Sequence, residues 1–101
     1  MLVSSKHINQ VNDIQSIVSR ITGVKTIDIC LNSRKAEIAQ ARQLSMYFCR
    51  FYTRITTKEI ARMHGKGNHG TVLHACKTVE DLRSVNPKFN EIFQSIKSEL
   101  I

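Results

Sequence analysis

Three of the four residues behind a glycine-punctuated turn carry side chains suited to meeting a nucleobase. The turn is Gly65-Lys66-Gly67, and after it stand Asn68, His69, Gly70 and Thr71. An Asn carboxamide pairs bidentately with adenine, Thr contacts a thymine methyl or a phosphate, and His donates to guanine or phosphate. The plainer reading of the same residues is structural, with Asn68 as a helix N-cap and Thr71 filling the first turn. The charge around them favours the chemical reading.

Between Arg34 and Lys77 lie nine basic residues (Arg34, Lys35, Arg42, Arg50, Arg54, Lys58, Arg62, Lys66, Lys77) against two acids, Glu37 and Glu59, so this stretch carries 9 − 2 = +7. The remainder holds six bases and six acids and sums to zero, so the whole excess of +7 sits beside the turn. Such a segment neutralises phosphates and releases condensed counterions, which makes a polyanion the implied partner. The alternative is a solvated basic face with no partner, because net charge alone speaks to solubility and nonspecific association.

Other chemistries fit less well. Gly65-x4-Gly70-Thr71 has the outline of a phosphate-binding loop, but the Lys before the Thr is missing and the preceding segment reads as helix rather than strand. No nucleotide is expected. Cys30, Cys49 and Cys76 are odd in number, far apart and set among apolar neighbours, which suits buried thiols better than a disulfide frame. A zinc site would need a pair such as C-x2-C or H-x3-H, and neither occurs; His74 and Cys76, two apart, point to different helix faces. No metal or other cofactor is expected. Nor do carboxylate pairs, Ser/His/Asp or Cys/His sets stand at catalytic spacing, so no enzyme is expected. His74 is the one tempting base, and beside Ala75 and Cys76 it reads more simply as a hydrogen-bonded packing residue.

The elements that must position these groups are helical. A stripe of Ile8, Val11, Ile14, Val18 and Ile21 predicts a first helix closing at Gly23. A short turn of helix follows over Ile27 to Leu31, with Thr26 as N-cap, and then a polar basic loop, Asn32-Ser33-Arg34-Lys35. From Ala36 to Tyr52 a long helix puts Ile38, Ala41, Leu44, Ser45, Phe48, Cys49 and Tyr52 near one face, with Arg42, Gln43 and Arg50 peripheral. Thr56-x-x-Glu59 matches a capping box opening a helix that stops at His64-Gly65. Asn68 caps the next, whose inner positions are Val72, Ala75, Cys76, Val79 and Leu82 and whose opposite face is His69, Gly70, His74, Lys77 and Thr78. Asn86-Pro87 starts the last, with Phe89, Ile92, Phe93, Ile96 and Leu100 inward.

With 101 residues, one proline, four glycines and no tryptophan, the chain reads as one all-α domain of about six helices over 1–101, residues 1–7 being flexible. The start has no apolar signal region, and no run approaches the ~20 apolar residues of a membrane helix. A cytoplasmic, nucleoid-associated protein without membrane contact is expected.

Two amphipathic helices around a glycine turn in a basic context form a helix-turn-helix pattern, and from Ala41 to Leu82 the wording of that pattern is familiar. ARQLSMYFCR, ITTKEIARMHG and NHGTVLHACKTVEDL resemble the C-terminal DNA-binding domains of bacterial replication initiators, the DnaA family. The match includes Arg42-Gln43, Met46-Tyr47, Arg50, Thr53, Glu59-Ile60, Gly65, His69, Thr71-Val72 and His74-Ala75. The resemblance implies a Trp-repressor-like fold and binding of duplex origin repeats, the DnaA boxes, in replication initiation or its regulation. It implies Arg34 in the minor groove, Arg42, Gln43 and Arg50 at the backbone and groove rim, Thr57 and Lys58 near phosphate, and His69 and Thr71 as major-groove readers. From the charge and the position after the turn, Lys35, Lys66, Asn68, Gly70 and Lys77 complete the expected DNA-binding surface. Where the family has Arg-Asp-His-Thr-Thr this chain has Gly67-Asn68-His69-Gly70-Thr71, which implies an altered sequence preference. The family's ATPase module has no counterpart here, so ATP-dependent origin melting is not expected. The competing expectation is a regulatory or protein-interaction module that kept the fold and lost origin specificity.

Overall fold

The first described helix, α1 (Val11–Thr22), ends because Gly23 takes φ +81°, a left-handed conformation that lets its N–H reach the Ser19 carbonyl at 2.8 Å. The computed structural model describes residues 11–31, 33–66 and 68–100. The expectations for Ile8, for Gly67 and for residues 1–7 lie outside them. Within α1 the buried side chains are Val11, Ile14, Val18 and also Gln15, so the predicted stripe contains a polar member. Next comes α2 (Thr26–Ile29), one short turn. Here the capping assignment changes: Lys25 is the N-cap and Thr26 the first helical residue, with no side-chain cap. The Lys25 carbonyl instead accepts from Asp28 and Ile29.

The long helix α3 (Ala36–Tyr52) is central, packing against α1, α2, α4 (Thr57–Met63) and α5 (His69–Val85). Its buried residues are Ala41, Arg42, Leu44, Ser45, Met46, Phe48 and Cys49, which wrap further around the helix than a single stripe. The final helix, α6 (Pro87–Glu99), begins with Pro87 behind Asn86, whose side chain accepts from the Phe89 N–H at 3.1 Å. Proline serves at that position because its missing N–H would have had no intrahelical partner. The ring of Phe93 in α6 lies 4.8 Å from Phe48 and 5.2 Å from Tyr47, and the Arg83 guanidinium lies over it at 3.8 Å. Each fully buried ring of this kind stabilises the fold by roughly 1.5–3 kcal/mol relative to exposure. An Arg20–Glu99 ion pair joins α1 to α6.

Every regular element among the described residues is an α-helix, and none is long and apolar enough to cross a membrane. Cys49 and Cys76 are buried, as expected, while Cys30 is only half-buried. Burial pushes the Cys49 thiol up to about 12 and raises that of Cys76, so neither is a ready nucleophile.

Candidate nucleic-acid interface

The α4–turn–α5 pair is built by local hydrogen bonds that the sequence dictates. Thr56 caps α4 by accepting from the Glu59 N–H at 3.2 Å. The expected capping box is only half made, because the Glu59 carboxylate turns to Arg62 instead, 3.0 Å from its Nε. At the other end, Gly65 at φ +77° donates to the Arg62 carbonyl and Lys66 to the Ala61 carbonyl, at 3.1 and 2.8 Å. That pair of bonds closes α4 in a Schellman motif. A Cβ on Gly65 would overlap the Cys30 carbonyl oxygen, so the turn is pressed against the end of α2.

His64, the C-cap of α4, anchors the same turn from beneath and is fully buried. Its Nδ1 lies 2.8 Å from the Ile60 carbonyl, which can only accept, so Nδ1 carries the proton and Nε2 accepts. Ser45 Oγ at 2.7 Å and Gln15 Nε2 at 3.3 Å supply the donors. Gln15 therefore occupies the apolar stripe of α1 for a polar reason. Burial holds the imidazole below its ordinary pKa, the Ile60 carbonyl opposing and the Arg42 charge adding to the shift.

Asn68 caps α5, accepting from the Gly70 N–H at 2.8 Å, so its carboxamide oxygen is engaged within the chain. A Cβ on Gly70 would stand 3.2 Å from that oxygen, closer than most side chains tolerate. The glycine inside the first turn thus leaves room for the cap. Val72, Ala75, Cys76 and Val79 face inward, which turns His69, Leu73, His74 and Lys77 outward, with Thr71 half-buried at the edge. His74 is exposed, not the packing residue its neighbours suggested; His64 fills that role. Lys77 is shared weakly with Asp81, 3.6 Å away on an exposed face.

The expected basic residues divide into two kinds. Arg34, Lys35, Arg50 and Lys58 are exposed, and Gln43, Thr57 and Lys66 half-buried. Arg42, expected at the periphery, is buried: its Nη1 donates to the Leu31 carbonyl at 2.8 Å and its Nη2 to the Ser33 carbonyl at 3.0 Å. It fastens the loop that carries Arg34 instead of presenting its own fork. Burial lowers its pKa, and burial followed by the Arg42 charge does the same to Lys66. Arg50 lies 5.0 Å over the Phe51 ring, which itself stacks on Tyr47 at 4.8 Å.

Two residues of this surface, and one buried beneath it, escaped sequence reasoning. Leu73 is an apolar side chain 42% exposed, detectable because it falls between the inward positions of α5. Arg62 counted only as charge. His64 read as a helix stop, and nothing local marks Ser45 and Gln15 as its partners.

The family model for the bacterial dnaA protein helix-turn-helix matches residues 11–79. The chromosomal replication initiator protein DnaA of Bacteroides thetaiotaomicron is 39% identical over 90 residues, 89% of this chain and 19% of that protein. The same-named proteins of Flavobacterium psychrophilum and Rhodopseudomonas palustris are 36% and 34% identical, over 86% and 90% of this chain and 18% and 19% of their own lengths. The chain thus spans about a fifth of these relatives. A match that runs from the first described residue of α1 into the third turn of α5, through the central helix and the glycine turn, means that this chain belongs to the bacterial DnaA helix-turn-helix family.

Proposed function

We propose that the chain binds double-stranded DNA through α4, the turn and α5, in the initiation of chromosome replication or its control. The observation that carries this reading is the outward face of α5, where His69, Leu73, His74 and Lys77 stand exposed over the N-terminal half of the helix that the turn delivers. In a helix-turn-helix that end enters the major groove and the preceding helix crosses the backbone. His69 and Thr71 then meet base edges, and Leu73 suits a thymine methyl. Arg34 and Lys35 reach the adjacent minor groove, while Gln43, Arg50, Thr57, Lys58, Lys66 and Lys77 meet phosphate and sugar. Asn68 and Gly70 shape the helix start, and Arg42 acts through the loop. The role is binding without catalysis, nucleotide or metal, by one folded unit in the cytoplasm at the nucleoid.

The test is affinity for a duplex carrying a DnaA box and for a scrambled duplex, at several salt concentrations. Binding to both should weaken steeply with salt, each phosphate contact adding about 0.9 to the slope. The box duplex should bind tighter, by less than an initiator domain with the full Arg-Asp-His-Thr-Thr run achieves. Affinity unchanged between low and moderate salt would remove the basic segment as a DNA footprint.

A further inference from the structure

The outer face of α4 carries a cleft of about 330 Å³ lined by Thr56, Lys58, Glu59, Arg62 and Lys66. Its three cations recur at steps of four, so Lys58 and Arg62 stand one turn apart on one face and Lys66 extends the row into the turn. Against them stands one carboxylate, Glu59, hydrogen-bonded to Arg62. That ion pair is exposed, with Arg62 71% and Glu59 41% accessible, so the guanidinium is within reach of a competing anion.

We propose that this cleft receives a backbone phosphate of the bound duplex, with Arg62 as its chief ligand and Glu59 as the carboxylate that the phosphate displaces. The inference rests on the DNA-binding reading above. It adds a contact on the helix that crosses the backbone, and an internal competitor for it. An Arg fork accepts a phosphate in the same bidentate manner as a carboxylate, so the exchange needs only a swing of the exposed Glu59 side chain.

The test uses random and DnaA-box duplexes at several salt concentrations, with thermal melting to confirm folding. Arg62→Gln should weaken binding several-fold on both duplexes alike and reduce the salt slope by about 1. Arg62→Lys, which keeps the charge, should restore the slope. Glu59→Gln should tighten binding to both, and in the Arg62→Gln background that gain should vanish, because there is no longer a guanidinium to release. Unchanged affinity and slope in Arg62→Gln, with the parent still binding DNA, would overturn the cleft as a contact. An equal gain from Glu59→Gln in both backgrounds would overturn the displacement, leaving Glu59 as a general repulsive charge. Failure of the parent chain to bind any duplex would remove the DNA reading itself, and this inference with it.

Discussion

His64 is a histidine that the fold keeps neutral, and this sets a pH dependence. Its pKa in the folded chain lies below the ordinary 6.5, so the unfolded chain binds the extra proton first. The stabilisation it supports is complete above 6.5 and is lost as pH falls below that value through the folded-state pKa. The melting temperature should therefore drop as pH falls below 6.5, and a His64→Gln variant, less stable throughout, should show a flatter profile. An identical profile in both would move the acid sensitivity elsewhere. On the outward face the expectations concern selectivity. His69→Ala and Thr71→Ala should each cost about 1–3 kcal/mol on the preferred site and little on random duplex, whereas Arg50→Ala should weaken both alike. Equal losses for all three variants would describe a nonspecific binder. Arg62 and Leu73 belong to this scale too: the sequence shows Arg62 only as charge, whereas Leu73 stands out by falling between the inward positions of α5.

At the scale of elements, the turn between α4 and α5 depends on one backbone conformation. Gly65→Val forces a β-branched residue to φ +77° and drives its Cβ into the Cys30 carbonyl. The left-handed conformation alone costs on the order of 1–3 kcal/mol, so thermal melting should show a large loss and DNA binding should fall with it. Retention of both would mean that the turn tolerates another geometry. The elements themselves were legible beforehand where their signals are local. Ala36 to Tyr52, the Thr56 cap, the Asn68 cap and the Asn86-Pro87 start all stand as read, because periodicity and capping act within a few residues. Less legible was whatever a distant partner decides. Glu59 left the capping box for Arg62, and Lys25 rather than Thr26 opened α2. Arg42 was placed at the rim because a charged side chain on a helix edge is usually solvated, while its real partners, the Leu31 and Ser33 carbonyls, lie in a loop about ten residues away.

For the whole molecule, the charge division has a spatial sequel. The helices that carry little net charge, α1 and α6, pack on one another, α1 also against α3 and α6 against α5, while the +7 excess belongs to the segment from Arg34 to Lys77. On the proposed reading, the summed field of that segment would draw in the duplex before any contact forms, so arrival would depend on charge and little on side-chain geometry. The Arg42 clamp acts at the opposite stage. It holds two carbonyls of the loop in the free chain, so that, on the proposed reading, Arg34 would have less conformational freedom to lose on entering the groove. Arg42→Lys keeps the charge and cannot bridge both carbonyls. Association should therefore be nearly unchanged, while dissociation should quicken on the order of tenfold, the equivalent of the ~1–2 kcal/mol for fixing one backbone residue. Rapid-mixing kinetics separates the two rates, and an unaltered dissociation rate would show that Arg34 keeps its place without the clamp. If dissociation quickens as expected, a buried arginine that touches no DNA governs how long the complex lives.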